Sequence, residues 1–157
     1  MRIFNPLSRN HDDAQSMIEL AIALPVLLIF LVGAVEFGRL SYAAIEVANA
    51  ARAGVADGSR SAATASDIIG MQNAATRDGG DISGWTASSI TATASQVCSC
   101  SVAAAGVTCA NAASKCAGSR TLVSVQVDAT ASVNPLFHLP GLPATYTLNS
   151  QATMRVQ

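Results

Sequence analysis

The strongest constraint on this chain is an apolar run near its N-terminus. Residues 20–35, LAIALPVLLIFLVGAV, carry no charge, and a 16-residue helix at 1.5 Å per residue covers about 24 Å. Extending the helix through Met17 and Ile18 on one side and Phe37 and Gly38 on the other reaches bilayer thickness. This requires Glu19 and Glu36 to lie near the two interfaces or to be neutralised by partners. The reading is one membrane-spanning helix. A buried core helix is the alternative, but the rest of the chain is too polar and too rich in small residues to wrap an apolar cylinder on all sides.

Composition points the same way. The 157 residues are 50% hydrophobic but only 4% aromatic, so outside the run the apolar content is mostly alanine and valine, and any soluble core is small. Net charge is −1 with no block of like charge, which gives no electrostatic footprint for nucleic acid. The polar stretch 1–13, MRIFNPLSRNHDD, precedes the run as a leader would. A secretory signal peptide begins similarly, but here Asp12, Asp13 and Glu19 press against the apolar run and no small-x-small site closes it before Glu36. Arginines do not orient the span: Arg2 and Arg9 precede it, whereas Arg39, Arg52 and Arg60 follow it.

Past the span the helical period continues. Phe37, Leu40, Ala44, Val47, Ala48, Ala51 and Val55 recur at three- and four-residue spacing, predicting a narrow stripe that packs on the chain's own domain, on another helix, or on both. Gly54, Asp57 and Gly58 predict the helix end. A second helix is expected over 61–78, capped by Ser66 or Thr64, with Ile68, Ile69, Gln72 and Ala75 as its weak stripe and Asp78-Gly79-Gly80 as its stop. The period then changes to two. Residues 87–97, 120–133 and 144–156 alternate apolar or β-branched with polar side chains, predicting three strands of a small antiparallel sheet, covered on one face by the helices. The fold class is therefore α+β.

All four cysteines lie in the loop 98–119, CSCSVAAAGVTCANAASKCAGS, whose small side chains offer little to bury. Disulfides would restrain it. A bridge between Cys98 and Cys100 is strained across so short a span, so each is expected to pair with one of Cys109 and Cys116. Zinc competes weakly, because Cys-x-Cys with Cys-x6-Cys lies off the usual spacing, and no Cys-x-x-Cys redox motif occurs. Disulfides imply an oxidising compartment for this loop, which puts Met1 in the cytoplasm. Other chemistry finds no footing. His11 and His138 fall on opposite sides of the expected membrane, Gly79-Gly80 follows a helix instead of opening one, and Trp85 reads as a core plug for the sheet. No metal, cofactor or catalytic site is expected.

Several of these residues also carry a resemblance. Ile18-Glu19-Leu20, Pro25, Glu36-Phe37-Gly38-Arg39, Tyr42 and Asn49-Ala50-Ala51-Arg52 resemble the signature of the TadE-like family, the minor pilins or pseudopilins of tight-adherence (Tad, Flp-type) pilus systems. The C-terminal NPLFHLPGLPATYTLNSQATMRVQ is also similar to that family. The resemblance implies a single-pass protein of the bacterial inner membrane with a cytoplasmic leader, 1–14, a transmembrane and extended helix, 15–58, and a periplasmic pilin-like domain, 59–157. It further implies cleavage by a prepilin peptidase and partnership with other pilins and the pilus assembly machinery. Counting back five residues from Glu19 puts the cut between Ala14 and Gln15, with Ala14 where the family usually has glycine. Glu19 is then the residue expected to meet the N-terminal amine of a neighbouring subunit. Pro25, which has no amide proton to give the Ala21 carbonyl, is expected to kink or unwind the helix at 21–25. A bitopic anchor that is never processed is the alternative.

Overall fold

The computed structural model describes residues 9–82, 87–102, 106–137, 141 and 143–156. The chain divides into two units, Met1–Gly38 and Arg39–Gln157, and the boundary falls inside one helix. That helix, α1, runs over Arg9–Gly58. It is followed by α2 (Ala62–Ser66), α3 (Ile68–Asp78), a 3-10 turn (Gly79–Ile82), β1 (Thr91–Cys100), α4 (Ala112–Lys115), β2 (Thr121–Val133) and β3 (Tyr146–Arg155). The fold is α+β.

In the first unit the helical residues of the apolar run are exposed: Ile22 at 70%, Ile29 at 72% and Phe30 at 72%. One helix in the described residues is long and apolar enough to cross a membrane, and none of its most apolar window is buried inside the molecule. Water does not tolerate such a surface; a bilayer does. Pro25 lies inside α1, with helical residues on both sides of it. Helix also begins at Arg9, ahead of the apolar run.

The second unit is built on the remainder of α1. Its buried side is Arg39, Ala43, Val47, Ala50, Ala51, Gly54, Val55 and Gly58, with Leu40 half-buried. The stripe expected from the sequence is thus rotated. Val47, Ala51 and Val55 face the core, whereas Phe37 is 72% exposed and Ala44 is exposed too. Gly54 does not end the helix but lets it approach closely. A Cβ there would stand 3.0 Å from the Met71 carbonyl oxygen and 3.0 Å from Val127 Cγ1, and one at Gly58 would overlap the Met71 thioether.

The expected second helix is two helices, because two residues compete to cap it. Ser61 caps α2 in a reciprocal box: its Oγ accepts from the Thr64 amide at 3.2 Å, and Thr64 Oγ1 accepts from the Ser61 amide at 3.0 Å. Asp67 then restarts the chain as α3, its Oδ1 accepting from the Gly70 amide at 2.8 Å. Thr64 therefore acts three residues inside a helix, and Ser66 donates to the Ala63 carbonyl instead of capping. Of the expected stripe, Ala75 is buried, Met71 replaces Gln72 as the core residue, and Ile69 is 69% exposed.

The sheet is an antiparallel meander, β1-β2-β3. Its first strand starts later than 87 and ends later than 97. Ser88 and Ser132 instead exchange hydrogen bonds, the Ser88 amide to the Ser132 carbonyl at 2.8 Å and the Ser132 amide to Ser88 Oγ at 3.0 Å, while pairing continues to Cys100 opposite Thr121. Register decides which side chains share a face. Ala92, Ala94, Cys98 and Cys100 of β1 align with Val123, Val125, Val127, Ala129, Ala131 and Val133 of β2, and with Ala152, Leu148 and Tyr146 of β3. This is the inner face. The outer face carries Thr93, Ser95, Gln126, Asp128, Thr130, Asn149, Gln151 and Thr153, with both Asp128 oxygens accepting, from Gln126 at 3.1 Å and Gln151 at 2.7 Å.

Two apolar clusters lie between helices and sheet. Ala43, Val47, Ala50 and Ala51 meet Ile82, Ile90, Ala129, Ala131 and Val133, with Leu40, Tyr146 and Leu148 at the margin. Val55 meets Ala65, Met71, Ala75, Val125 and Val127. Ser59, just past the end of α1, is also buried, and its hydroxyl contacts the Met154 sulfur at 3.0 Å. Trp85 and His138 lie outside the described residues. Filling the close approach tests this packing: Gly54→Val should lower the stability of the full chain in detergent by about 1–3 kcal/mol, since Met71 is met at its backbone and Val127 is branched and stiff. A thermal melt read by circular dichroism checks it.

Candidate functional site

Two places hold the residues singled out by sequence, and they belong to different units. The first is the start of the apolar run on α1. Ala14, Gln15 and Glu19 are all helical there, and Gln15 Nε2 donates to Glu19 Oε1 at 3.3 Å across one turn. Both side chains are exposed, so the bond itself adds little stability. What it establishes is direction. Residues four apart share a helix face, so Glu19 points along the side of α1 on which Gln15 lies. Met17, Ile18 and Leu20 around the carboxylate are 74%, 62% and 60% exposed, so Glu19 stands among bare apolar side chains. The Ala14–Gln15 peptide bond lies inside α1, preceded by helix from Arg9 onward.

The second place is the cysteine loop. Cys98 bonds Cys109 and Cys100 bonds Cys116, and among the described residues no cysteine is free. The two alternatives left open by sequence are thereby resolved. Cys98 and Cys100 sit on one face of β1, since strand neighbours two apart project to the same side. From there they reach two successive points of the loop. Cys98, Cys100 and Cys116 are buried with Ala112, against Val107 and Val123, forming a third small core at the end of the sheet. The described part of the loop between them is ordered by its own turns. Asn111 accepts from the Thr108 amide at 2.7 Å through Oδ1 and donates to the Gly106 carbonyl at 3.1 Å, and Gly118 turns the chain back towards β2 at φ 84°. With every sulfur bonded to another, no thiolate remains for a metal, and the described residues hold no cluster of potential metal ligands.

Sequence reasoning missed Gly54 and Gly58 as approach points and Asp128 as the acceptor at the centre of the outer face. The signal for the glycines was present, because they are four residues apart and therefore on one helix face, in register with Val47, Ala50 and Ala51. Asp128 carried its signal as well: it is the one acid among the alternating residues of β2.

With the geometry described, comparison with known proteins bears on the first place. The family model described as TadE-like protein matches residues 14–56, which include Glu19, Pro25, the Glu36-Phe37-Gly38-Arg39 run and the close-packing Gly54. The match lies within α1 and agrees with the resemblance carried by the same residues. Neither the curated proteins nor the solved structures yield a match.

The disulfide pairing generates a direct prediction. Trypsin without reduction should release residues 116–120 covalently attached to residues 78–115, and fragmentation of the linked species should join Cys116 to Cys100 and Cys98 to Cys109. Removing the Cys100–Cys116 bridge by a double serine substitution should cost about 3 kcal/mol of stability, the chain-entropy value for a loop of about 15 residues. Non-reducing peptide mapping and a denaturant titration check these.

Proposed function

We propose that the chain is a TadE-like minor pilin or pseudopilin that takes part in assembly of a tight-adherence, Flp-type pilus, with a structural and non-enzymatic role. The observation that carries this reading is the family match over 14–56, falling on an exposed apolar helix with one carboxylate at its rim. In this reading residues 1–14 are a cytoplasmic leader, the apolar part of α1 spans the inner membrane, and the disulfide-bonded domain stands in the periplasm, where thiols oxidise. A prepilin peptidase cuts between Ala14 and Gln15. The cut leaves an α-amine on Gln15, and Glu19 pairs with that amine on an adjacent subunit, so that two charges are relieved of separate desolvation at the edge of hydrocarbon.

The second reading is an unprocessed bitopic anchor that scaffolds the pilus machinery or binds an adhesion partner. Two observations favour it. Ala14 stands where the family usually has glycine, and the bond to be cut lies within α1, so that a peptidase requiring extended backbone must first open the helix. Intact-mass spectrometry of protein from envelopes separates the readings. A mature chain starting at Gln15 supports the pilin, whereas a chain retaining Met1 supports the anchor. For the pilin, Glu19→Gln keeps shape and removes charge, so membrane insertion and leader removal should be normal while pilus-dependent adherence is lost. Adherence equal to that of the parent would remove the assembly role of the charge.

A further inference from the structure

The two disulfides share one end of the sheet but not one environment. Cys98, Cys100 and Cys116 are buried, at 8%, 8% and 4% exposure, whereas Cys109 is exposed, as are Thr108 and Ala110 on either side of it. The Cys100–Cys116 bridge thus joins two buried residues, and the Cys98–Cys109 bridge joins a buried residue to one in solvent. A thiolate displaces a sulfur by attacking the other member of the S–S bond, so access to one sulfur is enough. Cys109 offers that access, and the other three do not.

The exposed bridge also lies where it can open without breaking the sheet. The Ser101 amide donates to the Arg120 carbonyl at 2.8 Å, and this pair continues the register in which Cys100 faces Thr121. Bonded residues alternate along an antiparallel ladder, so Val97 and Ser99 bond to β2 while Gln96 and Cys98 turn their N–H and C=O groups away from it. Cys109 Sγ stands 3.6 Å from the Gln96 carbonyl oxygen, on that outward side, in a contact without a proton because the sulfur is bonded to Cys98. Cys109 therefore covers the edge of β1 and takes no part in the ladder. It also lies within the segment that Cys100–Cys116 closes, and that second bridge holds the buried cluster with Ala112 and Val123 on its own.

We infer that Cys109 is a thiol-exchange site, and that Cys98–Cys109 is an openable latch on the edge of β1 while Cys100–Cys116 is the permanent staple. The reactant is an external dithiol. Its first thiolate attacks Cys109 Sγ, the bond to Cys98 breaks, and the electron pair leaves on Cys98 Sγ, which takes up a proton. The product is a mixed disulfide on Cys109. The second thiolate of the reactant then attacks the reactant's own sulfur in that mixed disulfide, so that Cys109 leaves as a thiol and the reactant as a disulfide. Two electrons pass to the bridge, and the two protons of the dithiol end on Cys98 and Cys109.

The full chain, folded in detergent, is exposed to graded dithiothreitol, quenched with N-ethylmaleimide and mapped by mass spectrometry. Labelling of Cys98 and Cys109 should be about tenfold or more faster than labelling of Cys100 and Cys116. A brief exposure to glutathione, quenched with acid, should leave the adduct on Cys109. Equal rates for both bridges overturn the inference, because they report opening through unfolding of the whole domain. So do earlier opening of Cys100–Cys116, failure of both bridges to react, and a glutathione adduct on Cys98. The latch is tested separately by the double variant Cys98→Ser, Cys109→Ser, in which Cys100–Cys116 remains. Amide exchange at Val97 and Ser99 should stay within about twofold of the parent, since their bonds go to β2. Loss of protection there would show the bridge to be needed by the strand itself and would remove the latch.

Discussion

Everything in the folded domain depends on how closely α1 can approach β2. A helix resting on a sheet through large side chains stands off by about 10 Å, and the space must then be filled with bulk that this chain lacks. Ala43, Ala50, Ala51, Gly54 and Gly58 remove the side chains instead and bring the helix backbone towards Val125, Val127, Ala129 and Ala131. Small residues on both partners give many weak contacts over a short distance, which is how a domain with 4% aromatic residues obtains a packed interior. The cost is intolerance, since the Met71 carbonyl and the Val127 methyls stand where a Cβ on Gly54 would be.

The same thinness explains the disulfides. Beyond Val125 the inner face of the sheet is covered by Val107, Ala112 and Cys116, which belong to a segment, 101–120, made mainly of alanine, serine and glycine. Hydrophobic burial there cannot offset the entropy of ordering some twenty residues at about 1–2 kcal/mol each for the backbone. Two cross-links act on the unfolded chain instead, and the sulfurs themselves, with Ala112 and Val123, become the core of that end. The domain is thus held by close helix packing at one end and by covalent bonds at the other.

One helix also serves two solvents. Over its first unit α1 presents apolar side chains on all sides, and over the second it buries one side, with Tyr42, Ile45, Arg52 and Ala56 exposed away from the buried alanines. That change of pattern occurs across Glu36-Phe37-Gly38-Arg39, the charged pair with which the uncharged run ends. At the other end of the run stands Glu19, sharing a helix face with Gln15. The proposed assembly role draws on that setting: a carboxylate among Met17, Ile18 and Leu20 gains from a cation brought to it at the edge of lipid.

The sequence carried the apolar span, the three alternating strands, the α+β class and the use of the cysteines in disulfides, because each is written in local periodicity or in spacing. It also carried Gln15 and Glu19 as a pair, since a four-residue separation on a helix needs no tertiary information. Tertiary packing settled which side of α1 is buried. Phe37 and Ala44 fit a helical stripe as well as Ala43 and Ala50 do, and the sheet selects the flatter side because β2 must come near. It decided that 61–78 breaks at Asp67, where two sound caps compete and the burial of both Ala65 and Met71 requires a turn between them. It decided, finally, that Cys98 joins Cys109 and Cys100 joins Cys116. Both pairings are equal in the sequence, and the choice follows from the path of the loop across the end of a strand on which the two cysteines face the same way.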